Sequence, residues 1–358
     1  MTHGRPMSRR GRGAPTSPDA RYLAVTREPF DDGWADDDAP APELHTTVTA
    51  EQARSIISYN TSPDIPFDRS INAYRGCEHG CVYCYARPTH AYLDLSPGLD
   101  FESRLYAKPN AAELLKQELS KPGYRCRFIA LGTNTDPYQP IERDWRITRQ
   151  VLEVLAACHH PVSIVTKSSL VERDIDLLTA MAGEGLVEVY LSVTTLDRDL
   201  ARRMEPRAAT PQRRLDTLAR LAEAGVPTGV LFAPVIPFLN DAEMEAVLEE
   251  AAARGVRYAG YVMLRLPHEV RPLFEQWLAE HEPGKAERVL NRIRDLRGGR
   301  ENDPHFGRRM RGTGVYADLM RSRYTLACKR LGLNRSAHAL DTSRFSPPIT
   351  RPQQLTLW

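Results

Sequence analysis

Between residues 69 and 264, short apolar runs alternate with segments whose apolar positions recur at every third or fourth residue. The runs are 69–74, RFIALG at 127–132, PVSIVT at 161–166, LVEVYLSVT at 186–194, VPTGVLFAP at 226–234 and RYAGYVML at 257–264. Their length and their share of Val, Ile and Leu read as buried strands. Helical spacing fills the gaps at 111–119, 148–158, 174–182, 213–225 and 241–255. Two of these segments end on a glycine, Gly225 and Gly255, followed at once by the next apolar run, which is how helices commonly stop. Strand and helix alternating in series predict an α/β fold with a parallel sheet covered by helices. Right-handed crossovers would curl that sheet into a partial or full (β/α)6 barrel of the TIM type.

The flanks read differently. Residues 1–45 are rich in Arg, Pro, Gly and Asp, with few aliphatics, and are expected to form a disordered tail. The barrel is expected over 46–282, a helical extension over 283–335, and a second flexible tail over 336–358, which carries SRFSPPITRPQ. The stretch 317–333 has the pattern of an amphipathic helix. The chain as a whole is nearly balanced at +2. Residues 285–335, however, hold 14 Lys/Arg against 5 acids, a local +9. That excess suits either a solvated helix closing the barrel or a patch that faces phosphates. No stretch predicts a membrane span: the best, Gly225 to Asn240, is short and broken by Pro227, Pro234 and Pro237. Arg9-Arg10 is followed by no apolar segment, so it is not read as a twin-arginine signal. A cytoplasmic location is expected.

The candidate chemistry lies just after the first predicted strand. Three of the six cysteines stand at C-x3-C-x2-C: Cys77, Cys81 and Cys84. Their clustering in a long chain favours a metal in a reducing compartment over a disulfide framework. A structural zinc site would need a fourth ligand. His79 is cramped between two of the cysteines and is expected to be solvent-exposed. Cys126, Cys158 and Cys328 stand alone and read as packing residues. His159 and His160 read as a polar helix end. The alternative is a 4Fe–4S cluster, which takes four thiolates when closed and leaves one iron open with three.

The stretch NAYRGCEHGCVYCYAR (72–87) resembles the defining motif of the radical S-adenosylmethionine (SAM) superfamily. GTNTDPYQPIE (132–142), VTKS (165–168), LSVTT (191–195) and RMEPRAATPQRRL (203–215) are similar to the branch that holds spore photoproduct lyase and its "DNA repair photolyase" relatives. Each segment falls at or after a strand's C-terminal end, where barrel enzymes place their sites. The resemblance implies a 4Fe–4S cluster on Cys77, Cys81 and Cys84, SAM on the open iron, an external electron donor, and reductive cleavage to a 5′-deoxyadenosyl radical. It also implies cofactor contacts from Tyr83, Thr135, Lys167 and Ser192. The aromatic would lie near the adenine and the ammonium near the methionyl carboxylate. Glu205 and Arg207 flank Pro206 and could pair with each other or touch a ligand.

One departure bears on the reaction. Where the lyase family has a hydrogen-donating cysteine after the second strand, this chain has Thr133, whose O–H bond is too strong for that role. Tyr83 and Tyr85 match a tyrosine pair of the lyase and are the candidate catalytic residues, as hydrogen-atom relays. The resemblance and the basic stretch 285–335 imply action on DNA or RNA. The alternatives are a radical enzyme acting on a peptide or small molecule, and a non-catalytic iron–sulfur or metal module. The chain ends QLTLW, similar to the bacterial sliding-clamp-binding peptide, with Gln354, Leu355, Leu357 and Trp358 in its anchor positions. The competing reading is that Leu357 and Trp358 complete the protein's own core.

Overall fold

The computed structural model describes residues 11–23, 44–336 and 339–348. Six parallel strands form its centre, at Arg69–Ile71, Ile129–Leu131, Val162–Thr166, Val187–Ser192, Thr228–Val235 and Tyr258–Met263. We call them the first to the sixth strand. They lie side by side in chain order, as successive right-handed crossovers require. Ile71, Leu131, Ile164, Val189, Leu191, Val230 and Phe232 are almost wholly buried and join one core with the covering helices. The helices at Ala111–Leu119, Ile147–Ala157, Ile175–Gly183, Pro211–Glu223 and Met244–Ala252 follow the segments that helical spacing marked, within a few residues at each end.

The barrel is partial, so both outer strands need cover. On one side a short strand, Ile57–Tyr59, pairs antiparallel with the first strand. On the other side the C-terminal extension does the work without adding a strand. Its backbone takes the Met263 amide on the Met310 carbonyl at 2.9 Å. Asn334 accepts from the Ala259 amide at 2.9 Å and donates to the Ala259 carbonyl at 3.1 Å. Tyr324, on the helix Val315–Leu331, donates to the same carbonyl at 2.7 Å. The edge that would otherwise present free backbone groups is occupied by the Met310 carbonyl and the Asn334 and Tyr324 side chains.

This placement bears on the basic stretch. Part of its charge is engaged with the barrel. Arg309 pairs with Asp64 at 2.5 Å and Arg323 with Glu245 at 2.5 Å. Arg330 pairs with Glu249. Arg311 lies over the Tyr261 ring at 3.7 Å, and buried Arg297 donates to the carbonyls of Leu264, Arg308 and Arg309.

Two stretches correct the expectation of loose tails. Residues 12–15 are buried against the cysteine loop, because their amides and the Arg12 guanidinium find partners there. Residues 339–348 cross the opposite end of the barrel. The Asp341 amide donates to Gly185, the Ser346 amide donates to Cys158, and Phe345 packs on Tyr124 and His160. Gln354, Leu355, Leu357 and Trp358 lie outside the described residues. Among the described residues no helix is long and apolar enough to cross a membrane.

Candidate active site

The cysteine loop is held from every side by its neighbours' hydrogen bonds. It leaves the first strand through Tyr74–Arg75, which pairs with Arg104–Ala107 in a small three-stranded sheet. The Cys77 amide donates to the Phe101 carbonyl at 2.9 Å and the Val82 amide to the Met204 carbonyl at 3.1 Å. Buried Gln139 takes the Glu78 amide at 2.9 Å and gives its own N–H to the Gly76 carbonyl at 3.1 Å. Arg87, with no exposed surface, donates to the carbonyls of Cys81 at 2.9 Å and Gly80 at 3.2 Å, and pairs with buried Glu102. Gly80 has a φ of +68°, and a Cβ there would come within 2.8 Å of the Glu102 carboxylate, so both the turn and the close approach require glycine. Removing one member of a buried pair such as Arg87–Glu102 costs about 3–5 kcal/mol.

A second carboxylate ties this loop to the barrel mouth. Asp136 accepts from the Thr166 hydroxyl at 2.6 Å, the Lys167 amide at 2.7 Å and the Tyr138 amide at 2.9 Å. The oxygen that takes the Lys167 amide, Oδ2, is also 3.3 Å from His79 Nδ1. Burial alone would raise this carboxyl's pKa, but His79 and the hydrogen bonds from His79, Thr166 and Lys167 outweigh it and hold it at about 2. His79 is therefore buried, not exposed as its position between two cysteines suggested.

A third carboxylate, Glu205, organises the opposite side. It accepts from the Tyr83 hydroxyl, from Thr194 at 2.6 Å and from Arg214. Arg214 also donates to the Ser192 carbonyl at 2.9 Å and to the Ala209 carbonyl at 2.7 Å. Burial raises the Glu205 pKa, against the pull of Arg214. Glu205 and Arg207 do not pair with each other. Arg207 reaches Glu78 at 3.0 Å instead.

The sequence-marked residues take these places. Tyr83 is buried, and the half-buried Lys167 ammonium lies 5.9 Å from its ring centre. Ser192 is buried at the end of the fourth strand. Thr135 is buried, and its hydroxyl donates to the Tyr74 carbonyl at 3.3 Å. Tyr85 is 48% exposed and donates to the Thr133 carbonyl. The Thr133 hydroxyl is paired with Asn72. Asp136, Arg214, Asn72, Arg87 and Glu102 were not picked out as site residues, and Glu205 was weighed only as a partner of Arg207 or a ligand contact.

The donor set suits an iron–sulfur cluster. Cys77 and Cys81 are buried, and Cys84 is half-buried on the same loop. Burial, with Asp136 near Cys77 and Glu205 near Cys81, raises both thiols' pKa values. Such thiolates form only when a cation replaces the proton, and bound iron supplies it. Among the described residues, no group of three His, Cys, Asp or Glu side chains is arranged to hold a single metal ion. The pattern of the Radical SAM superfamily matches residues 71–251, from the end of the first strand to the helix after the fifth. The chain belongs to the radical SAM superfamily. As a radical SAM enzyme it uses a 4Fe–4S cluster and SAM, and needs an external electron donor.

Among its relatives, an uncharacterized protein of Mycobacterium tuberculosis is 39% identical over 234 residues, covering 65% of this chain and 68% of the relative. An uncharacterized protein of Methanocaldococcus jannaschii is 29% identical over 222 residues, 62% of this chain and 79% of its own. A protein of Pseudomonas phage M6, named radical SAM Nalpha-GlyT isomerase, is 27% identical over 180 residues, 50% of this chain and 35% of its own. Among solved structures, spore photoproduct lyase complexed with dinucleoside spore photoproduct superposes with a TM-score of 0.59 at 15% identity, over 80% of each chain. At that identity the likeness is one of fold.

Proposed function

We propose that this radical SAM enzyme acts on nucleic acid, with Cys77, Cys81 and Cys84 as the cluster's ligands and Tyr83, Thr135, Lys167 and Ser192 on the side that receives SAM. The cluster, once bound and reduced, supplies the electron that cleaves the SAM sulfonium. The chain's own residues do the holding. Arg87 and Gln139 fix the loop's carbonyls and amides. Glu205 orients Tyr83 through its hydroxyl, and Arg214 ties Glu205 to the end of the fourth strand. Lys167 offers a cation beside Tyr83 for a carboxylate.

The observation that carries the substrate class is Arg265. It stands two residues beyond the sixth strand, at the barrel mouth, half-buried. Its Nε is buried without a hydrogen-bond partner, and one terminal nitrogen reaches only the Met310 sulfur, at 3.8 Å. Its guanidinium lies 5.7 Å from the ring centre of Tyr85. Burial and the nearby Arg309 both lower its pKa, while the neighbouring Asp64 is engaged with Arg309. A half-buried cation beside a part-exposed aromatic face, at the open end of a barrel, suits an anion joined to a flat ring, as in a nucleotide. The fold likeness to a lyase complexed with a dinucleoside photoproduct supports the same reading. Tyr85, rather than buried Tyr83, is then the candidate hydrogen-atom relay facing substrate.

The arginines engaged with the barrel favour a second reading, in which the extension only closes the barrel and the substrate is a peptide or small molecule. Binding of a fluorescent oligonucleotide across a salt series separates the two. The nucleic-acid reading expects affinity to fall steeply with salt and the slope to flatten in a chain carrying Arg288→Gln, Arg300→Gln and Lys329→Gln, three exposed cations. Arg265→Gln should weaken binding about tenfold or more, the usual loss for a charge-assisted contact. Salt-insensitive binding, or none, would favour the second reading. Clamp binding through Gln354, Leu355, Leu357 and Trp358 stays a proposal from the sequence, tested by pull-down with a chain truncated after Gln353.

A further inference from the structure

The cysteine loop is braced by a segment that lies some sixty residues before it in the chain. The Arg12 guanidinium donates to the Glu102 carbonyl at 2.7 Å, the Leu44 carbonyl at 2.6 Å and the Thr46 hydroxyl at 3.1 Å. The next two amides, Gly13 and Ala14, donate to the two oxygens of the Glu102 carboxylate at 2.9 and 2.8 Å. This is the same buried carboxylate that pairs with Arg87, the side chain holding the Gly80 and Cys81 carbonyls. One carboxylate is thus shared between the loop's clamp and the N-terminal segment. The backbones also touch: a Cβ on Gly13 would fall 1.7 Å from the Gly80 carbonyl oxygen. Beyond this point Thr16 donates to Gln276 at 2.7 Å, Pro18 accepts from Ser96 at 2.6 Å, and Arg21 pairs with Glu269 at 2.5 Å. The segment is anchored at both ends, with the loop beneath it.

We propose that residues 12–16 are positioning residues for the iron–sulfur cluster: strap and cysteine loop form one cooperative unit, and the protein keeps its cluster only while the strap is seated. Without the strap, Glu102 loses two amide donors in a site with no exposed surface. Water must enter to replace them, and the Arg87 clamp on the loop loosens. Linkage makes the coupling reciprocal, so the cluster must hold the strap as firmly as the strap holds the cluster. The inference rests on Cys77, Cys81 and Cys84 being the ligands. A Cys77→Ala chain that still loads a cluster would refute that assignment. The strap variants keep all three cysteines and report on the strap alone.

The test uses the full chain, reconstituted anaerobically with iron and sulfide. Gly13→Ala places a methyl where the Gly80 oxygen stands. Arg12→Ala adds no atoms and gives a second variant that does not depend on Gly13→Ala folding. Two readouts are taken below the melting temperature of each metal-free chain. The first is iron release to a chelator, expected to be about fivefold faster or more in both variants. The second is trypsin cleavage after Arg12, expected to be slowed by the cluster in the parent but not in Gly13→Ala. Iron release at the parent's rate in both variants would overturn the proposal. So would cleavage of the parent after Arg12 at the same rate with and without the cluster.

Discussion

At the scale of single residues, the site rests on three buried carboxylates that each serve several loops: Glu102 beneath the cysteines, Asp136 between the second and third strands, and Glu205 behind Tyr83. Each spends its oxygens on amides, hydroxyls or a guanidinium that would otherwise be stranded in the interior. The cysteines were legible in the sequence because ligand spacing on one loop is local. The partners of the carboxylates were not, because they lie far along the chain: Glu102 meets the Gly13 and Ala14 amides, and Glu205 meets Tyr83. His79 was misread for the same reason, since its partner Asp136 comes from another loop. Residue-scale predictions follow the division between ligand and support. Cys77→Ala, Cys81→Ala and Cys84→Ala should each abolish the reconstituted cluster's absorbance, whereas Cys126→Ala, Cys158→Ala and Cys328→Ala should retain it. Lys167→Ala should keep the cluster but weaken SAM binding by one to two decades, about 1.5–3 kcal/mol for a charge-assisted contact. Equilibrium dialysis of the reconstituted chain checks this, and unchanged affinity would leave Lys167 as a cation over Tyr83 with no part in the cofactor site.

At the scale of elements, periodicity found what is local and missed what is assembled. The six strands and the helices between them are written in runs of apolar residues whose spacing depends only on the backbone, and they appear where that spacing placed them. The cover of the sixth strand could not be read that way. It is made by one asparagine, one tyrosine and one carbonyl in a stretch whose evident feature was positive charge. Asn334 can do this because its backbone sits at φ +56°, a conformation that Asn tolerates better than most side chains. Asn334→Ala should therefore lose both Ala259 contacts as well as backbone ease. The expected cost, discounted for exposure, is about 1–2 kcal/mol, read as a lower urea midpoint with an unchanged slope. An unchanged midpoint would mean that solvent satisfies the strand edge equally well. Of the cations behind the local charge of +9, Arg309, Arg311, Arg323 and Arg330 are engaged with the barrel, while Arg288, Arg300 and Lys329 stay exposed.

At the scale of the whole molecule, the two ends of the chain act as braces at opposite ends of the barrel. Residues 12–16 press on the cysteine loop, and residues 339–348 cross the far side over His160 and Tyr124. The fold encloses two histidines whose protonation opposes it. Burial lowers the pKa of His90 to about 4 and that of His160 to about 4, against about 6.5 in an unfolded chain. Between those values the unfolded state binds more protons than the native state, so stability falls as pH drops through the window. Two such groups should cost about 2–3 kcal/mol per pH unit between pH 6 and 5. Urea unfolding of the metal-free chain at those two pH values checks it. Stability that is flat or rising on acidification would mean that one or both rings are already charged in the fold.

The proposed activity is that of a radical SAM enzyme acting on nucleic acid. The most direct measurement is the yield of 5′-deoxyadenosine from SAM by the anaerobically reconstituted full chain with a chemical reductant. It is taken alone, with oligonucleotides carrying ultraviolet or modified-thymine lesions, and with peptides. Slow formation is expected without substrate, an increase with nucleic acid that Arg265→Gln diminishes, and none in Cys77→Ala. Formation that only peptides or small molecules accelerate would contradict the nucleic-acid claim, and no formation at all under reducing conditions would contradict the enzyme itself.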